Sequence, residues 1–124
     1  MSVKVDLGQL TGALADFTFA YLVTVDDGYR AHAVAVEPVL ADGIFDVGSI
    51  GNSTRGNLAQ HDCVTLVWPP REPGGYTLIV DGRGEPTDST LKIVPSRAVL
   101  HRRAAAGAVT KPGCKDDCVR LEQA

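Results

Sequence analysis

Gly48-Ser49-Ile50-Gly51-Asn52-Ser53-Thr54-Arg55-Gly56-Asn57-Leu58-Ala59-Gln60 is the stretch on which the fold turns. A glycine-rich loop here passes into a short helix, between two segments with β-type composition. Upstream, Ile44-Phe45-Asp46-Val47 is a short strand entered from the turn Ala41-Asp42-Gly43. Downstream, Val64-Thr65-Leu66-Val67-Trp68 is another, stopped by Pro69-Pro70.

Working outward, Phe19-Ala20-Tyr21-Leu22-Val23-Thr24-Val25 and the strand from Arg30 to Val39 flank Asp26-Asp27-Gly28, which predicts a hairpin. Tyr76 to Glu85 is a fifth strand, whose glycines mark a bulge or a close backbone approach. Leu91 to Arg102 is a sixth, with Pro95 implying a kink or an edge position. At the start, Leu7, Leu10, Leu14 and Phe17 share one face of a helix that Asp6 is placed to cap, although Gly8 and Gly12 each weaken it by about 1 kcal/mol. The expectation is a mainly β chain: about six antiparallel strands in a small barrel or sandwich, a leading helix, and a short helix after strand three. Residues 1–103 form the domain, and 104–124 a small, polar tail carrying Cys114 and Cys118.

Composition narrows the function classes. The 124 residues are 44% hydrophobic and 22% charged, as in an ordinary globular domain. A net charge of −3 lacks the basic excess of a nucleic-acid binder. No apolar run reaches the roughly 20 residues that cross a bilayer, and Met1 to Asp6 lacks the apolar core of a secretory signal. Three cysteines, an odd number, suit a reducing compartment, so the cytoplasm is the expected location.

The order of elements resembles the split β-barrel of the pyridoxamine 5'-phosphate oxidase-like superfamily, which binds FMN or deazaflavin. Four stretches carry the resemblance over about residues 10–103. Arg30-Ala31-His32-Ala33-Val34-Ala35-Val36 resembles the second strand, often written Pro-His-x-x-Pro-Val. Asn52 to Leu58 resembles the phosphate loop and short helix, Val64 to Trp68 the strand after it, and Tyr76 to Gly84 the strand ending in Gly-x-Ala/Gly. The resemblance implies a homodimeric oxidoreductase with a flavin-type cofactor, FMN or a deazaflavin, in a cleft between subunits, acting on a small molecule. It also leaves two other outcomes: a non-enzymatic dimeric module with a degenerate cofactor site, or a haem-binding or haem-degrading relative with His32, His61 or His101 as axial ligand. Members that hold a flavin phosphate carry two or three basic residues near this loop; here Arg55 stands alone, with Ser53 and Thr54 where a basic residue is often found. The longer C-terminal region of true oxidases of the vitamin is missing, which argues against pyridoxine phosphate as substrate.

The candidate site follows from this alignment. Ser53, Thr54, Arg55 and Asn57 would converge hydrogen-bond donors on a phosphate at a helix start, or else Ser53 or Thr54 merely caps a surface helix. His32 would approach a ligand, or fill a strand position. Ala31, Ala33 and Ala35 form one face of their strand, low enough to receive a ring or a partner subunit, or to pack on the leading helix. Trp68 would stack on a ring, with Tyr76 across the proline loop, or both would sit at a rim or interface. No catalytic side chain stands out. A metal centre drawn from His61, Cys63, His101, Cys114 and Cys118 lacks the closely paired cysteines of most zinc sites. Free thiols are the expectation, with Cys63 buried.

Overall fold

The structure is a computed structural model and describes residues 2–103. Eight strands form one antiparallel sheet: β1 (Ser2–Lys4), β2 (Ala20–Val25), β3 (Ala31–Val36), β4 (Val39–Ala41), β5 (Ile44–Gly48), β6 (Cys63–Trp68), β7 (Thr77–Pro86) and β8 (Leu91–His101). The hydrogen-bonded order is β3-β2-β6-β7-β8-β5-β4, with β1 added on β8. β3 and β4 are the two ends of that order, yet Glu37 and Pro38 alone separate them in sequence. Three Cα–Cα steps reach at most about 11 Å, so the sheet must curl until its ends meet. The result is a barrel split along the β3/β4 seam. β6, β7 and β8 follow one another as a meander, and β5 lies beside β8. The return from β5 to β6 runs through α2 (Asn52–Gln60), which makes a Greek key.

Strand alternation sets what faces inward. Ala20, Leu22 and Thr24 of β2 meet Leu66 of β6, Leu78 and Val80 of β7, and Leu91 and Ile93 of β8, all fully buried. Phe45 of β5 completes this layer. The predicted hairpin forms in register, with Leu22 opposite Val34 and Thr24 opposite His32. Its turn is closed by Asp26, whose carboxylate accepts the Gly28 and Arg30 N–H groups at 2.8 and 2.9 Å. Tyr29 takes the left-handed conformation there, with φ 62°, an unfavourable state for a bulky residue.

Several expectations need correcting. Among the described residues there are eight strands where about six were expected. The predicted strand from Arg30 to Val39 is two, divided at Pro38, and Ser2-Val3-Lys4 adds an edge strand too short to show periodicity. The leading helix is a 3-10 turn (Leu7–Gln9) followed by α1 (Leu10–Leu14). Asp6 occupies the N-cap position, but its side chain makes no capping bond; its carbonyl accepts the Gln9 N–H at 2.8 Å. Pro95 fits the expected kink or edge position: β5 pairs with β8 only over Leu91–Ile93 and β1 only over Val99–His101, so Pro95 is paired on its β7 side alone. It sits at a bulge: Asp81 pairs with Arg97 and Gly82 with Pro95, leaving Ser96 extra. The Ser96 hydroxyl donates to the Asp81 carbonyl at 3.1 Å. The expected tail, 104–124 with Cys114 and Cys118, lies outside the described residues.

Candidate functional site

The helix that decided the sequence reading is held by its own spacing. Thr54 and Leu58, one turn apart, are the buried pair of α2. Leu58 lies over Gly84 of β7, where a Cβ would come within 2.8 Å of its Cδ2. Gly51 is the N-cap, in an extended conformation, and no side chain caps the helix. The first N–H groups of α2 therefore lack the side-chain acceptor that a serine or threonine cap supplies. Neither Ser53 nor Thr54 fills that role.

The predicted phosphate residues do not act together. Ser53 is exposed at the helix start, whereas Thr54 is only 3% exposed and belongs to the packed face. The Arg55 guanidinium donates to the Asp88 carbonyl, in the turn between β7 and β8, at 3.2 Å. Asn57 donates its Nδ2 to the hydroxyl of Thr24 at 3.1 Å. Thr24 is fully buried and its register partner is His32. His32 Nδ1 is buried without a hydrogen-bond partner, the one such side-chain atom among the described residues. An unsatisfied buried nitrogen is costly, and it marks a place where a ligand or water group would be stabilised. Thr24 was missed in the sequence; the signal was a hydroxyl at an inward position of the Ala20, Leu22, Thr24 series.

Trp68 is not at a rim. It is 3% exposed, with its ring 5.4 Å from that of Phe45, so neither face is open to a stacked ring. Tyr76 lies instead beneath the Arg102 guanidinium, at 4.9 Å. Cys63, expected to be buried, is exposed. His61 rests against Tyr29 with ring centroids 5.2 Å apart, and His101 Nδ1 lies 3.3 Å from the Ser2 hydroxyl. Among the described residues no three His, Cys, Asp or Glu side chains gather as a metal site.

Two open depressions adjoin the seam. One, of about 560 Å³, lies among Phe19, Val36, Glu37, Val47, Gly48 and Ser49. Ser49 sits two residues ahead of the Gly51 cap, which puts this trough at the foot of α2. The second, of about 680 Å³, shares Glu37, Val47 and Gly48 with it and extends over β4 and β5. Asp46 lines the second. The Thr90 hydroxyl, the Lys92 ammonium at 3.0 Å and the Gly48 N–H at 2.9 Å hold its carboxyl at about 2, well below the usual range. A carboxylate with a depressed folded-state pKa contributes stability above its ordinary pKa and loses it as pH falls through the folded value. Asp46→Asn should therefore flatten the fall of the thermal midpoint between about pH 4 and pH 2, as a melting series against pH would show. An equally steep fall in both proteins would remove this role.

Outside the barrel, Ala31, Ala33 and Ala35 are exposed and lie opposite Val25, Val23 and Tyr21 of β2. Val67 continues the same face on β6, next to Tyr21, and Ile79 on β7, next to Val67. The leading helix does not cover these alanines. Single exposed apolar residues are ordinary, but a contiguous sheet face of them marks an interaction surface.

Strand order and the curl of the sheet define a split β-barrel fold. Its solved neighbours include an FAD-binding protein of Mesorhizobium loti, with TM-score 0.64 and 13% identity over 81% of this chain and 95% of that one. Another is an FAD binding protein of Mycobacterium smegmatis, with TM-score 0.59 and 12% identity over 81% and 98%. A Listeria innocua protein that carries a pyridoxamine 5'-phosphate oxidase designation matches with TM-score 0.61 and 15% identity over 76% and 96%. At these identities the likeness is one of fold. No family model matches the chain. Within the fold it belongs to one family with uncharacterized protein Mb0449c of Mycobacterium bovis and uncharacterized protein MT0457 of Mycobacterium tuberculosis, each 52% identical over 94% of both chains. No described helix is long and apolar enough to cross a membrane.

Proposed function

We propose that this chain is a homodimeric oxidoreductase that binds a flavin-type cofactor, FMN or a deazaflavin, across the seam of the barrel. The observation that carries the reading is the uncapped start of α2 at the foot of the 560 Å³ trough. Backbone N–H groups of the first helical turn, helped by the helix dipole and the Ser53 hydroxyl, would hold the phosphate end. Arg55 adds positive charge from its place on Asp88, and the unpartnered His32 Nδ1 offers a further polar contact. Asn57 holds α2 against β2 through Thr24 and so positions the cradle rather than lining it. A bound flavin-type ring supplies two-electron transfer to or from a small organic molecule. The exposed apolar face of β2 and β3 fits a second copy of the chain, which would wall in the otherwise shallow trough. The FAD-binding neighbours of the same fold support the cofactor class.

A second reading, a dimeric module whose cofactor site has degenerated, is favoured by one observation: Thr54, Arg55 and Asn57 are all engaged elsewhere. Absorbance titrations with FMN and with a deazaflavin separate the two. Saturable binding below about 100 µM, weakened roughly tenfold by Arg55→Ala with no loss of thermal stability, is the expected result. Absence of binding by either cofactor would leave the module. Light scattering tests the dimer independently, and a monomeric mass would remove the shared cleft.

A further inference from the structure

We infer that the larger depression over β4 and β5 is a subsite for a small organic cation: an amine or quaternary ammonium carried on an apolar body and lacking phosphate. This rests on the proposed function above, because it names the substrate class taken beside the cofactor trough. Its floor is apolar and open. Val39 is 63% exposed and Ile44 39%, and both face outward on the β4–β5 hairpin with Ala41. Its rim carries four carboxylates, Glu37, Asp42, Asp46 and Glu85, against one ammonium, Lys92.

Lys92 is already committed to Asp46 at 3.0 Å, and Arg83, on the outer face of β7, is paired with Glu85 at 2.9 Å. Among the described residues, Glu37 and Asp42 are left as exposed carboxylates with no ion-pair partner. A phosphate or carboxylate entering here would meet like charge at close range, whereas a cation would meet attraction over a surface that also buries its hydrocarbon. Glu37 belongs to both depressions, together with Val47 and Gly48, so a molecule seated on β4 and β5 would abut whatever occupies the trough at the foot of α2. Charge thus divides the two ends of the seam: a helix start suited to an anion, and an acid-rimmed apolar shelf suited to a cation.

Amide NMR titration of the full chain tests this with three probes that share one ring: benzyltrimethylammonium, benzyl alcohol and benzoate. The cation is expected to bind best and to shift amides between Val39 and Gly48, with affinity falling as salt is raised. The double variant Glu37→Gln, Asp42→Asn should weaken the cation about fivefold or more, while Lys92→Gln, which uncovers Asp46, should strengthen it. Both changes lie on exposed or half-exposed side chains, so folding is preserved. Benzoate or benzyl alcohol binding as well as the cation, or a double variant that binds it unchanged, would overturn the inference. The cofactor titration is read separately by absorbance. Cation selectivity without cofactor binding would keep this subsite and discard the oxidoreductase, and cofactor binding without cation selectivity would do the reverse.

Discussion

Replacing Gly82 with alanine is expected to cost about 3 kcal/mol of folding stability, enough to leave a small domain partly unfolded. The reason lies at the bulge. A Cβ on Gly82 would stand 2.5 Å from the Val94 carbonyl oxygen, 3.0 Å from Ile93 Cγ2 and 3.1 Å from Pro95 Cα. Two of these three are backbone atoms of β8, the strand that β7, β5 and β1 all pair with. Backbone cannot yield by a rotamer change, so relief would require breaking the longest ladder in the barrel. Gly84→Ala is the built-in control. Its Cβ would meet Leu58 Cδ2 at 2.8 Å, Leu91 Cδ1 at 3.3 Å and Val64 Cγ1 at 3.4 Å, all of them side-chain ends. Those can shift, so the cost should be nearer 1 kcal/mol, and the displaced Leu58 would move α2 outward and weaken the proposed cofactor binding. Urea denaturation of the two variants side by side checks the contrast. Equal losses would show that the bulge tolerates a methyl group and that the close approach is not what selects glycine.

Trp68→Ala should cost about 3–5 kcal/mol, and Trp68→Phe a fraction of that. At 3% exposure and in contact with Phe45, the indole fills the interior, and its removal leaves a cavity that neighbouring strands cannot close. The informative variant is the phenylalanine. A stacking residue would lose cofactor affinity in proportion to ring area, whereas a core residue loses stability and leaves affinity where it was. We expect the second pattern, with thermal midpoint lowered and the FMN or deazaflavin titration unchanged. A tenfold loss of affinity at nearly constant stability would return Trp68 to the site.

The sequence made the hairpin, the helix after Val47 and the meander legible because each carried its own local signal. Asp26-Asp27-Gly28 marked a turn, the Gly51 to Leu58 run marked a loop and a helix start, and β-branched runs marked the strands. It hid what depends on distant partners. Whether Trp68 faces the core or a ligand is a matter of phase relative to Phe45, 23 positions earlier in the chain. The donors of Arg55 and Asn57 read as available because nothing local claims them. Asp88 and Thr24, each 33 positions away, do so in the fold. Cys63 was misjudged for a related reason, since cysteine is often buried but here begins β6 on its outer side. The three-residue β1 and the division at Pro38 escaped because strands that short leave no period to detect.

The two residues that join β3 to β4 also act as a gauge. Hydrogen-bonded neighbours in a closed cylinder fix its girth by their own spacing, but here the last interval is set by the length of Glu37 and Pro38, with proline stiffening it. The aperture is therefore decoupled from every ladder in the wall. A residue added to or removed from this tie would widen or narrow the mouth while leaving each strand pairing untouched, so a lineage could retune what the mouth admits without re-solving the fold.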